Sequence, residues 1–540
     1  MKISRRKFAL GLGAGIGAGG LWLSAARPLL AADHAMAAAA AASVATPGFD
    51  PDVELELRAA PGTVRMLPGQ TTDVWQYSGR VLKGDPQALS YLDGSGHIPV
   101  IRVRRGQKLR VHFSNELPEA TIVHWHGLHM PQPMDGHPMY AIPSGGRFVY
   151  EFTVDTRAGT YWFHPHPHER TGLQVYLGLT GVFIVHDDEE QAAQLPSVAH
   201  ELPLVLQDRN FNAEGQLVYL SGMRHDFMMG FRGPHVLTNG LVEYRREVSR
   251  TAHRLRVFNG SNATLYQLRW SNGQPLTLIG TDGGLLEQAV SQDRLTLATG
   301  ERAEVWVDFS GLAAGETVSL LAESYSPALE HLTPLHITPA LMDNARIVAT
   351  FAADSGEAVP VAAPTVLSRF PELELQDAVN RESPRRIQMA MRMGQVTLNN
   401  RVFGAMDEVA DDDRVRVGTT EVWEFANDAG MGGRGGMGGL GGGGGMGMGG
   451  MMMNMAHPMH VHNVQFRVLS RTRSGQADAL HQSLSAGFTD VGLKDVVLVL
   501  PGEQVRVLMS FKTHTGIYLY HCHILEHEDM GMMRNFLIEG

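Results

Sequence analysis

Across 540 residues there is a single cysteine, Cys522, so no internal disulfide can form. A chain of this length can rest on packed apolar cores without such staples. Past its first residues it also lacks any apolar run long enough to cross a bilayer. Positive charge is in deficit, with 45 Lys and Arg against 56 Asp and Glu and a formal net charge of −11, which argues against a nucleic-acid partner. Helical periodicity is scarce too. What remains is strand-like alternation punctuated by Gly, Pro, Asn and Asp, and this predicts an all-β chain of antiparallel β-sandwiches.

Histidine is plentiful, at 25 residues. His-x-His occurs at His124/His126, His164/His166, His460/His462 and His521/His523. Residues i and i+2 share a strand face, so each pair can aim both rings into one cavity. Eight imidazoles suit a three-copper cluster ligated two, three and three. Cys522 would point to the opposite face of its strand. With His527, His457 and a more distant Met532 it completes the ligand set of a blue-copper site. His168 leaves the register of the second pair open between 164/166 and 166/168. An internal repeat selects 164/166, because Ala158-Gly-Thr-Tyr-Trp-Phe-His-Pro-His166 aligns with Thr515-Gly-Ile-Tyr-Leu-Tyr-His-Cys-His523, with Pro165 in the place of Cys522. His168 is then a rim residue.

Turn-then-strand patterns recur at Gly146–Phe152, Gly300–Phe309 and Gly502–Phe511. Self-similarity at this spacing signals repeated domains. We expect a leader and Ala-rich linker over 1–42, then domains over 50–190, 200–352 and 383–540, the last with a Gly/Met-rich loop at 430–456. The first and last domains hold two His-x-His pairs each and the middle one holds none. The cluster should therefore lie between the outer domains, with the middle domain as a spacer. Ser4-Arg5-Arg6-Lys7-Phe8 before a Gly/Ala-rich apolar run reads as a twin-arginine export signal. That implies a periplasmic or secreted protein with no stable membrane anchor once the signal is removed.

With these motifs the chain resembles the multicopper oxidases, and within them the bacterial copper efflux oxidases and laccase-like three-domain enzymes. The resemblance rests on His124-Trp-His-Gly127, Trp162-Phe-His-Pro-His166, Thr171-Gly-Leu-Gln174, Asp282-Gly-Gly-Leu-Leu286, His457-Pro-Met-His-Val-His462 and His521-Cys-His-Ile-Leu-Glu-His527, with Gly531-Met532. It implies three cupredoxin-like Greek-key β-sandwich domains and four copper ions. The type 1 copper would take His457, Cys522 and His527, with Met532 as weak axial ligand. The type 2 copper would take His124 and His460. The type 3 pair would take His126, His164 and His523 on one ion and His166, His462 and His521 on the other. Asp135 and Glu528 stand where similar enzymes place proton donors. A monomer oxidising Cu(I) or small aromatic reductants one electron at a time, with O2 as acceptor, is the implied activity.

The Gly/Met-rich run can build no core, since glycine buries nothing and loses the most backbone entropy on ordering. Its thioethers are soft ligands suited to Cu(I), and it leads directly into His457. It departs from the efflux oxidases, which carry a methionine-rich insert earlier in the third domain. Only Met389, Met391 and Met393 stand there in this chain. Where such relatives hold substrate copper with an Asp and a Met, this chain has Met453 and Met455. Three functions follow: a cuprous oxidase for copper tolerance, a laccase with an organic donor and a Met-rich lid, and a non-enzymatic copper-binding or scaffold protein.

Overall fold

The computed structural model describes residues 44–221, 224–323, 345–370, 373–392, 395–428, 455–474 and 479–540. The export-signal reading, Met393, Met453 and almost all of the Gly/Met-rich run lie outside them. Among the described residues the strands form six sheets in three successive pairs.

In the first pair, a four-stranded sheet (Thr72–Lys83, Val53–Val64, Lys108–Asn115, Arg147–Thr153) packs on a five-stranded one (Leu89–Tyr91, Pro99–Arg104, Gly181–His186, Gly159–Pro165, Val123–His126). Leu55, Leu57, Val111, Phe113 and Tyr150 from one sheet interlock with Ile101, Val103, Trp125, Phe163 and Phe183 from the other. The middle pair joins a seven-stranded sheet, which includes Glu201–Arg209, Ala252–Asn259 and Arg302–Asp308, to a five-stranded one containing Tyr266–Trp270 and Arg346–Ala353. In the last pair, the sheet holding Thr420–Ala426 and Glu503–Ser510 covers the sheet of Met533–Glu539, Gly516–Cys522, His457–Val461 and Val496–Val499. Val53–Val64 keeps the alternating burial of a half-covered strand over its first turns. Gly159–Pro165 is buried at every position, as a strand covered on both faces must be.

Direction differs from expectation. Every sheet contains one parallel pairing, such as Val53↔Leu109, Glu201↔Arg254 and Arg385↔Trp423, and Val100↔Val182, Arg245↔Thr350 and Arg414↔Leu537. Alternation in a sequence reports which face is buried, and strands of either direction give it, so the all-antiparallel reading was too narrow. The six parallel pairings fall two to each pair of sheets, which makes the three units topological repeats. Between residues 354 and 384 the described chain forms no strand.

Two antiparallel pairings between strands distant in sequence set the site. Val123–His126 runs antiparallel to Gly159–Pro165 with His124 opposite His164. His457–Val461 runs antiparallel to Gly516–Cys522 with His460 opposite His521 and Met459 opposite Cys522.

Candidate metal centre

All eight paired histidines are buried, none more than 1% exposed. The outer units bring them together crosswise. His124 stacks on His462 with ring centres 3.8 Å apart, and His126 stacks on His460 at 3.7 Å. Likewise His166 meets His521 at 5.1 Å and His164 meets His523 at 5.6 Å. This crossing is an approximate two-fold relation between the units, the spatial form of the repeat that aligns His164 with His521.

Three groups of imidazoles each bring their ring nitrogens within 4.8 Å of one another: His124, His126 and His460; His126, His164 and His523; His166, His462 and His521. A fourth group joins His457, Cys522 and His527. His124 and His462 also form one with Asp135. Among the described residues no such group takes a member from residues 200–352.

Hydrogen bonds on the outward nitrogens decide which nitrogen faces the centre. His164 Nδ1 donates to the Pro165 carbonyl at 2.8 Å, and its repeat partner His521 Nδ1 donates to the Cys522 carbonyl at 3.1 Å. His124 Nδ1 donates to the Asp135 carbonyl at 2.6 Å and His460 Nδ1 to the Asp495 carbonyl at 2.8 Å. His462 Nδ1 lies 2.7 Å from Asp135 Oδ2. His126 is reversed, its Nε2 donating to Asp495 Oδ1 at 3.0 Å. The inward atoms, His124 Nε2, His126 Nδ1, His164 Nε2 and His460 Nε2, have no hydrogen-bond partner among the described residues, and neither has any ring nitrogen of His523. His521 Nε2 sits 3.2 Å from His462 Nε2 and 3.4 Å from His166 Nε2. Buried polar atoms aimed at one another without partners are what metal ligands look like before the ion is counted. Burial pushes His124 down to about 3 and His521 down to about 4, so both are neutral at pH 7, the form that binds metal.

At the fourth group Cys522 Sγ lies 3.5 Å from His457 Nδ1 and 3.6 Å from His527 Nδ1. Burial raises the Cys522 thiol well above its ordinary range, so a bound cation is what would stabilise the thiolate and displace its proton. Met532 is buried in the same core cluster, and its carbonyl accepts from the Cys522 amide at 3.0 Å. The donors therefore fit copper at all four positions: one thiolate with two imidazoles, with Met532 packed in the same core, and eight further imidazoles.

The two acids are inside rather than on the surface. Asp135 is 0% and Glu528 2% exposed. Glu528 Oε1 lies 3.4 Å from His166 Nε2 and its Oε2 3.3 Å from His521 Nδ1. Burial drives both carboxyls well above the usual carboxylate range. His168 stays outside, half-buried with its ring 5.3 Å from Phe403. Met455 is 4% exposed and belongs to the third core, where Met389 and Met459 also pack.

The sequence reading missed Asp495 and the contribution of the middle unit. Thr299 Oγ1 donates to the His523 carbonyl at 2.7 Å. Gly300, at φ +84, leaves only 3.1 Å between a hypothetical Cβ and the His523 ring. On the sulfur side His527 Nε2 donates to the Met228 carbonyl at 3.0 Å. The middle unit is thus not a mere spacer. No local signal marks these contacts, since each joins residues far apart in sequence.

Two family models described as multicopper oxidase match residues 74–190 and 379–540. The chain is 30% identical over 439 residues to a multicopper oxidase of Staphylococcus haemolyticus (strain JCSC1435), covering 81% of this chain and 80% of that protein. It is 29% identical over 484 residues to a laccase of Bacillus subtilis (strain 168), covering 81% and 87%. Among solved structures, the McoA multicopper oxidase of the hyperthermophile Aquifex aeolicus superposes with a TM-score of 0.72 at 30% identity, covering 91% of this chain and 97% of that one.

Proposed function

Because the chain belongs to the multicopper oxidase family, we propose that it oxidises Cu(I) one electron at a time, with phenolic and diamine donors as further substrates, and passes the electrons to dioxygen. The family is an oxidoreductase family with three cupredoxin-like domains and four coppers, one type 1, one type 2 and two type 3. The observation that carries the proposal is the set of four convergent, buried donor groups, in which His124 Nε2, His126 Nδ1, His164 Nε2, His460 Nε2 and both His523 nitrogens have no hydrogen-bond partner among the described residues.

In this reading His457, Cys522, His527 and Met532 hold the type 1 copper. His124 and His460 hold the type 2 copper. His126, His164 and His523 hold one type 3 ion, and His166, His462 and His521 the other. When bound, the coppers supply one-electron acceptance from the donor and four-electron reduction of dioxygen to water. Cys522 is bonded through the main chain to His521 and His523, so one strand end joins the sulfur-bound position to the cluster. Asp135 can hold a proton at Oδ2 beside His462, and Glu528 at its carboxyl between His166 and His521. Complete burial keeps bulk water from these groups.

The Gly/Met-rich run at 430–456 supports Cu(I) as donor, because soft thioethers lead into His457. We assign the protein a periplasmic role in copper tolerance, reached by the twin-arginine route and performed as a monomer over domains at 50–190, 200–352 and 383–540. In this reading Met453 and Met455 are the substrate-copper ligands. Burial of Met455 in the third core favours a second reading, a laccase with an organic phenolic donor. Removing residues 431–453 separates the two. Cu(I) oxidation should fall at least tenfold in kcat/KM while phenol oxidation persists. Unchanged Cu(I) kinetics would leave the laccase reading standing.

A further inference from the structure

Arg302 opens the strand Arg302–Asp308 of the middle unit and is 0% exposed. All five of its guanidinium donors are used. Nε donates to the Thr160 carbonyl at 3.0 Å in the first unit. Nη1 and Nη2 donate to the carbonyls of Gly300 and Asp282, each at 2.9 Å, in its own. The remaining two grip Asp495 of the last unit, Nη1 to Oδ1 at 2.6 Å and Nη2 to Oδ2 at 2.5 Å. The Arg302 amide is itself pinned by Asp282 Oδ1 at 2.7 Å. One side chain therefore ties three units together at one point.

What it grips matters more. Asp495 Oδ1 accepts from His126 Nε2, while the Asp495 carbonyl accepts from His460 Nδ1. The two rings lie stacked with 10° between their planes. A single residue thus forces opposite tautomers on two stacked imidazoles, turning His126 Nδ1 and His460 Nε2, both otherwise unpartnered, toward the centre. Gly127 keeps the space clear, for a Cβ there would come within 2.5 Å of Asp495 Oδ2 and 2.6 Å of Arg302 Nη2.

We propose that Arg302 is a positioning residue where the type 2 position meets one type 3 position: by clamping the Asp495 carboxylate from the middle unit it fixes which nitrogens of His126, a type 3 ligand, and His460, a type 2 ligand, are offered to copper. This rests on reading those two histidines as ligands. A fork of donors in one plane is required, so lysine, a point charge, should replace it poorly.

The test is a copper count and a paramagnetic-resonance spectrum on purified, copper-loaded wild type, Arg302→Lys and Arg302→Gln. The expected result is an intact type 1 signal and blue absorption per protein in all three, with the type 2 signal lost or reshaped and the count below four in both variants, Arg302→Lys the milder. A role confined to folding would instead lower the denaturation midpoint and leave the type 2 signal of the folded fraction unchanged. That result overturns the proposal. Should Arg302→Gln not fold, Arg302→Gln/Asp495→Asn removes the unpaired buried charge. The double variant should fold and still show the type 2 defect, and a native type 2 signal with four coppers in it would overturn the clamp. Wild type binding fewer than four coppers under the same loading would overturn the ligand reading and the clamp with it.

Discussion

Cys522 is the residue on which two roles meet. It is buried among Met459, Tyr520 and Met532 in the third core, with its sulfur beside two imidazole Nδ1 atoms. Its neighbours on both sides carry their rings to the other face. Cys522→Ser keeps the volume close to native and puts a hydroxyl among apolar groups, at a cost of about 1–3 kcal/mol if it finds no partner. A core of this size tolerates that. The variant should fold, lose the intense visible absorption of a copper thiolate and lose oxidase activity, while retaining copper at the cluster. Absorption spectra with elemental copper analysis check this, and a variant that stays blue would place the sulfur-bound copper elsewhere.

At the scale of elements, the join between the first and middle units is a buried ionic knot. Arg256, on Ala252–Asn259, pairs with Glu201 at 2.6 Å, Glu304 at 2.5 Å and Glu190 at 3.0 Å. Thr160, four residues ahead of His164 on the strand Gly159–Pro165, donates to Glu304 at 2.7 Å and so hangs a site strand on the knot. Burial pushes the Glu201 carboxyl up, yet Arg256, Arg102 and Arg254 outweigh it and hold it at about 2, below its ordinary 4.5. A depressed carboxyl adds stability above its unfolded pKa that is lost as pH falls through the folded one. Glu201→Gln should therefore cost about 3 kcal/mol at pH 7, and the gap to wild type should close between pH 4.5 and 2. Urea denaturation across that range reads it, and a gap independent of pH would show that Glu201 acts by packing alone.

Such a knot also marks the limit of what sequence reveals. The β class, the four His-x-His pairs and the match of His164 with His521 were legible because period-two spacing and a local repeat both act over a few residues. The parallel pairings were not, because burial alternates alike in either direction. Arg302 lay in view within Gly300-Glu-Arg-Ala-Glu, where it reads as an ordinary strand charge. Its meaning depends on Asp495, almost two hundred residues away, and on a surface that exists only after three units have met.

Over the whole molecule, the crosswise stacking of His124 on His462 and His126 on His460 makes the cluster an inter-unit bond, whereas the sulfur-bound position lies within the last unit. Ligands that bind only the native state stabilise what they bridge. Copper at the cluster should therefore hold the first and last units together, and copper at Cys522 should not. Without metal, eight neutral imidazoles face one another, most with an inward nitrogen that lacks a partner, so the interface loses its favourable term and keeps its desolvation cost. Hydrogen exchange separates these cases on three samples: loaded wild type, copper-stripped wild type and loaded Cys522→Ser. Amides of Val123–His126 and His457–Val461 should be protected in the first and third and exchange faster in the second. Equal protection in all three would mean that protein contacts such as Arg302–Asp495 suffice to close the interface, with copper entering a seam already shut.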